Sequence, residues 1–230
     1  MFFLAPHPVP ETPQPGSPRM FRVAWIERYL SRVRPWHVVT VWAPVSLYCL
    51  WRGVHALPPL GALGLTFVGV LTWTLLEYTL HRFLFHLAPN PRSELQQDLH
   101  FLLHRVHHDY PMDPDRLVMP PIISVLLAVL IGLPSWLLLG PLHFWSFFGG
   151  LTAGYLWYDL THYATHHVKP RTALGRAQKA HHMLHHFQTP ELRFGITTPL
   201  WDWVFGTHAL PKQPKPDEAP ERDKPLRATP

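Results

Sequence analysis

The sequence predicts an all-α integral membrane protein with about four transmembrane helices and a cytosolic helical cap that carries clustered histidines. Three observations predict it. Charged residues make up only 15% of the 230 residues, against about 25% in soluble globular chains. The charges are also unevenly placed: residues 117–158 contain no Asp, Glu, Lys or Arg, and residues 35–80 contain only Arg52 and Glu77. Uncharged blocks of that length exceed the roughly 20 residues that a bilayer-spanning helix needs. Histidine, finally, is in excess, with 18 His against 15 Asp plus Glu. The lone cysteine, Cys49, excludes an internal disulfide framework and a CxxC zinc site.

Residues 1–18 and 211–230 are proline-rich tails, with twelve of the 27 prolines between them. Proline fixes the backbone and removes a hydrogen-bond donor, so both tails are expected to be extended or disordered. The first tail has neither a basic start nor a long apolar run, and does not read as a cleaved signal peptide. Residues 19–35 carry Arg19, Arg22, Arg28, Arg32 and Arg34 among Phe21, Trp25, Ile26, Tyr29 and Leu30. That mixture predicts a basic amphipathic segment lying on the membrane surface. Residues 36–210 form the membrane-embedded domain.

Four spans fit its apolar blocks. The first covers 36–51 and contains Pro44; the second covers 59–80. The third covers 117–139 and is expected to be interrupted at Pro134. The fourth covers 143–158, after Gly140-Pro141-Leu142, which is too short for anything but a tight return. The first and fourth are short enough to be tilted hairpins that only partly penetrate.

Four spans put the N-terminus, the 80–117 segment and everything after 159 on one side, together with nineteen of the 20 Lys and Arg. The positive-inside rule makes that side the cytoplasm. The host membrane would be the endoplasmic reticulum in a eukaryote and the inner membrane in a bacterium. The net charge of +5 does not point to nucleic acid, because the basic residues surround the apolar blocks and form no stripe along one surface.

Thirteen histidines fall in four clusters on that side: His81 and His86 in HRFLFH; His100, His104, His107 and His108 in HFLLHRVHH; His162, His166 and His167 in HYATHH; and His181, His182, His185 and His186 in HHMLHH. Residues three and four apart share a helix face, so each of the trios 104/107/108 and 182/185/186 falls within about 100° of arc. His81 and His86, five apart, stand roughly 140° around an ideal helix and converge only where the helix ends, bends or bulges. Neutral imidazole is the commonest metal ligand and suits iron, zinc, copper and nickel. Any single histidine here could be an interfacial polar residue. Thirteen at ligand spacing read as a metal site. Glu77, one turn before His81, and Asp159, three before His162, are placed to accept the second ring N–H of a ligand.

The order HRFLFH, HRVHHDYPMDPDRLVMPP, YDLTHYATHH, HHMLHH and FGITTPLWDWVFGT resembles the fatty acid hydroxylase superfamily, and within it the fatty acid 2-hydroxylases that act on sphingolipid acyl chains. The resemblance covers about residues 70–207 and includes non-histidine text, above all PMDPDRLVMPP and WDWVFGT. It implies a dimetal centre with ten ligands: His81, His86, His104, His107, His108, His162, His166, His182, His185 and His186. One metal would take His81, His86, His104, His108, His182 and His186, and the other His107, His162, His166 and His185. His100, His167 and His181 would orient ligands or line the cavity. No catalytic residue beyond the ligands is implied.

Hydroxylating an unactivated C–H bond demands an oxidant that no amino acid supplies, whereas a redox metal that binds O2 does. Two non-haem irons are therefore expected, with O2 as co-substrate; zinc lacks redox chemistry but competes for imidazole sites. The expected partners are a lipid acyl substrate, membrane lipids and a separate electron donor of cytochrome b5 or ferredoxin type, since no such domain is fused here. Acyl desaturases and sterol or carotenoid hydroxylases also use histidine boxes and are the alternative reading. A metal transporter would need ligands near the bilayer midplane. The first and third spans offer only His37, at an edge.

Overall fold

A computed structural model describes Leu4, Gln14 and residues 16–208. Among these residues the regular elements are helices, and the sole exception is an isolated antiparallel bridge between Leu4 and Phe21. Helix α1 (Ala24–Tyr29) is short. Helices α2 (Pro35–Ala56) and α3 (Pro59–Leu80) are long, and each starts at a proline, where the missing N–H removes no intrahelical bond. The expected first span ends too early. The helix continues through Arg52, whose guanidinium lies 4.7 Å from the Trp145 ring centroid and 3.1 Å from the Tyr48 hydroxyl.

Helix α6 (Pro121–His167) contains the third and fourth expected spans as two arms. The helix absorbs Pro134 without the expected interruption, while the tight return expected at Gly140-Pro141-Leu142 is made at Gly140, with φ 66° and ψ 170°. That left-handed backbone suits a residue without Cβ, and Pro141 follows it. The arms run antiparallel. Trp136 packs on Phe144 and Trp145, with ring centroids 5.1 and 5.7 Å away, and Gly132 faces Phe148. The second arm does not end at Tyr158 but continues to His167, so one rod carries Asp159, His162 and His166.

Helices α2 and α3 pack on α6. A Cβ on Gly69 would stand 2.1 Å from the Phe147 carbonyl oxygen, and one on Gly150 would stand 2.1 Å from that of Thr66. Glycine at both positions lets the α3 and α6 backbones touch, as small residues do between membrane helices. Trp42, Trp73 and Tyr155 fill the centre edge to face, and Trp42 Nε1–H donates to Ser124 Oγ at 2.9 Å. Large apolar side chains meanwhile face outward: Leu47, Leu60, Phe67, Leu137 and Leu138 are all at least 65% exposed. An apolar exterior of this extent requires a lipid environment. Pro59–Phe85 and Pro121–His167 are each long and apolar enough to cross a membrane. The shorter arm of α6, residues 121–139, is about 28 Å long at 1.5 Å per residue.

The remaining elements gather at one end. They are a π-helical turn His81–Phe85, α4 (Glu94–His100), a second π-helical turn Phe101–Arg105, α5 (Val106–Asp109), α7 (Ala173–Phe187) and α8 (Leu200–Val204). The basic segment 19–35 is tied to this cap. Arg32 and Arg34 pair with Asp115 at 3.2 and 2.7 Å, and buried Glu27 pairs with buried Arg116, which also meets Asp113 at 3.0 Å. Trp25 and Tyr29 stay exposed. Of the first tail, Gln14 N–H donates to the Asp109 carbonyl at 2.8 Å. The second tail lies outside the described residues.

Candidate metal centre

The π-helical turn at His81 resolves the five-residue spacing. His86 N–H bonds to the His81 carbonyl at 3.1 Å, an i→i+5 bond that brings the two rings to 4.9 Å. Such single-turn bulges recur at functional sites. Ten imidazoles then converge as two groups of five, one of His81, His86, His104, His108 and His185, the other of His107, His162, His166, His182 and His186. In each group the ligand atoms lie within 4.8 Å of one another.

Neighbouring Nε2 atoms within the groups stand 2.8–3.2 Å apart. Two nitrogens about 2.1 Å from a shared ion, at right angles, would be about 3.0 Å apart. The tautomers agree. His81 Nδ1–H donates to the Phe194 carbonyl at 2.6 Å and His185 Nδ1–H to the Leu192 carbonyl at 2.7 Å. A carbonyl only accepts, so both Nε2 atoms present bare lone pairs to the same point. Lone pairs converging in a buried volume repel unless a cation lies between them. Burial, with His185 and His100 nearby, pushes His86 down to about 3, and burial pushes His185 down to about 4. Burial and the neighbouring imidazoles hold His104, His107, His108, His182 and His186 well below the ordinary range. Five neutral nitrogens per group fit a metal ion.

The division differs from the one that the resemblance implies. His185 joins the first group, and His182 and His186 join the second. In both trios the i, i+4 pair serves one group and the residue at i+3 serves the other. Four residues turn a helix by about 40° and three by about −60°, so the i+3 side chain leans to the opposite side.

The expected orienting carboxylates are also displaced. Glu77 does not meet His81; its Oε1 accepts the N–H groups of Ile196 and Thr197 at 2.6 and 2.7 Å, and Thr197 Oγ1 donates to Oε2. Asp159 does not meet His162; it accepts from Met119 N–H at 3.3 Å and Tyr155 O–H at 3.0 Å. In both cases unpaired backbone N–H groups from a distant segment claim the carboxylate. His100 stands outside both groups. His167 packs against Tyr163 with ring centroids 4.5 Å apart, and His181 Nε2 meets Asp202 Oδ2 at 3.1 Å.

Asp202 is a site residue that the sequence reading passed over. It is fully buried, and it accepts from Phe194 N–H, Gly195 N–H and Thr207 O–H at 2.8, 2.9 and 2.7 Å. Burial alone would raise its carboxyl, but the hydrogen bonds from His181, Thr207 and Gly195 hold it below the usual range. The signal was one acid between Trp201 and Trp203, since an acid in apolar surroundings is rarely buried without partners.

An apolar cavity of about 380 Å³ reaches the histidines, within the roughly 300–1,000 Å³ of ligand sites. Leu84 and Phe85, Ile122 and Leu127, and Phe21 and Leu30 wall it from three segments, while His104 of one group and His107 and His162 of the other border it.

Long apolar helices with two five-imidazole groups at one end, each able to hold a metal ion, define the class: a membrane protein with a clustered-histidine site. The chain belongs to the fatty acid hydroxylase family, whose model matches residues 66–207. It is 41% identical over 196 residues to a dihydroceramide fatty acyl 2-hydroxylase of Arabidopsis thaliana, covering 83% of this chain and 80% of that one. It is 34% identical over 219 residues to the fatty acid 2-hydroxylase of Rattus norvegicus, covering 86% of this chain and 58% of the rat protein. Among solved structures, full-length Scs7p with only its hydroxylase domain visible matches with a TM-score of 0.78 and 39% identity, covering 83% of this chain and 72% of that one.

Proposed function

We propose that this protein hydroxylates a lipid acyl chain at C2, with O2 as co-substrate and two metal ions held by the ten histidines. The observation that supports it most is the apolar cavity bordered by histidines of both groups, and the relatives named as acyl 2-hydroxylases point the same way. His81, His86, His104, His108 and His185 would hold one ion, and His107, His162, His166, His182 and His186 the other. Iron suits the task and zinc does not, because activating O2 requires a change of oxidation state. One oxygen atom enters the C–H bond and the other leaves as water. The two electrons come from a donor of cytochrome b5 or ferredoxin type, and the two protons that complete the water come from solvent.

The chain's own residues orient the substrate and exclude water. Cavity walls from the ends of α3 and α6 and from the N-terminal segment hold an acyl tail among the helices. The lipid's polar head stays in the interface, on the side where the cap lies. The carbons nearest the carbonyl then lie closest to the histidines, and proximity decides which C–H bond reacts when the oxidant is indiscriminate. This reading uses four membrane crossings, α2, α3 and the two arms of α6, with the cap in the cytoplasm.

Product mapping tests it. Acyl chains of several lengths are supplied, and the product is located by mass spectrometry. Oxygen at C2 for every length is expected. A hydroxyl at a fixed distance from the methyl end, or a double bond, would overturn the 2-hydroxylase reading in favour of a histidine-box desaturase or mid-chain hydroxylase.

A further inference from the structure

Four consecutive backbone N–H groups end on two buried carboxylates. Phe194 and Gly195 donate to Asp202, and Ile196 and Thr197 donate to Glu77. The same stretch turns the carbonyls of Leu192 and Phe194 onto the ring N–H groups of His185 and His81. Arg193, between those two residues, is held at φ 62°, a left-handed conformation that a residue with a side chain keeps only where its surroundings enforce it. At Gly195 a Cβ would stand 2.2 Å from the Thr198 carbonyl oxygen and 2.9 Å from Asp202 Oδ2. Residues 192–197 therefore form a rigid strap, anchored from below by α3 and α8.

Both histidines that the strap holds belong to the first group. The second group is held differently. His162, His182 and His186 each bury an Nδ1 with no partner among the described residues. A ring N–H bond fixes the tautomer and direction of a ligand, and hydrogen bonds to a carboxylate are stronger than neutral ones.

We propose that Asp202 and Glu77 are positioning residues for the first metal site alone, acting through the 192–197 strap on His81 and His185. This rests on the two-ion reading above. It makes the two sites unequal, because a defect in the strap loosens one ion and leaves the other.

Ion counting on the intact protein in detergent, loaded with Zn²⁺ and challenged with a graded chelator, tests the proposal. The wild type is expected to hold two ions. Asp202→Asn should bind one of them about 10–100-fold more weakly and keep the other unchanged. His107→Ala, which removes a member of the second group, should also keep one. The double variant should keep none at a chelator concentration that leaves each single variant with one. A double variant that keeps one ion would overturn the proposal, since both changes would then act on the same site. So would Asp202→Asn keeping both ions at wild-type strength or losing both together. A wild type that binds no Zn²⁺ would instead sink the two-ion reading itself. Should Asp202→Asn fail to fold, Glu77→Gln is read by the same pattern, with a smaller effect because both strap N–H groups meet the one oxygen Oε1, which the amide can keep, whereas at Asp202 they meet different oxygens.

Discussion

A buried imidazole that must stay neutral makes folding sensitive to acid, and the sign follows from proton counting. His86 and His185 sit near 3 and 4 in the folded protein, against about 6.5 for an unperturbed histidine. Between those limits the unfolded chain binds more protons than the folded one, so stability is complete above about pH 6.5 and is lost as pH falls. The metal-free protein should therefore melt at a clearly lower temperature at pH 5 than at pH 7. A melting temperature unchanged over that interval would mean that these rings are solvated in the folded state. At this scale the sequence was readable where chemistry is local. The five-residue spacing of His81 and His86 required the helix to end, bend or bulge, and a π-helical turn supplies the bulge. It was unreadable where distant backbone decides. Glu77 lies one turn from His81, yet N–H groups 119 and 120 positions away occupy it.

Among the elements, α3 and α6 matter most to the site, because α3 leads directly into His81 and His86 and α6 carries His162 and His166. Their separation is set by Gly69 and Gly150. Gly150→Ala would drive a methyl into the Thr66 carbonyl, an overpacking that costs about 1–3 kcal/mol, and would shift the two histidine sources relative to each other. The unfolding midpoint in detergent should fall accordingly. A variant as stable as the wild type would mean that the helices do not meet backbone to backbone. The apolar blocks gave three of the four long helices within a few residues. The hairpin was legible too, from the short uncharged Gly140-Pro141-Leu142 connection. The interruption expected within the third span at Pro134 is absent, because a proline in an apolar surrounding loses one hydrogen bond but need not stop a helix, whereas Gly140, in the expected return, adopts a dihedral open chiefly to glycine. The length of the second arm was hidden, since charge at Asp159 reads as the end of a span although the helix runs on into the cap.

For the molecule as a whole, the four-crossing arrangement predicts that both termini face the cytoplasm. Tags at each end should be accessible from that side in sealed vesicles, and one protected terminus would defeat it. The cap meanwhile is built from pieces made far apart in the chain. The first histidine group draws on His81, His104 and His185, and the second on His107, His162 and His186. Because both groups need α7, neither is complete until that late helix has been synthesised, and the strap that steadies His81 is made later still. A growing chain thus displays unfinished clusters of histidine for most of its synthesis. On the two-ion reading, full occupancy comes only after these segments have been translated, so loading is a late event in the life of the protein.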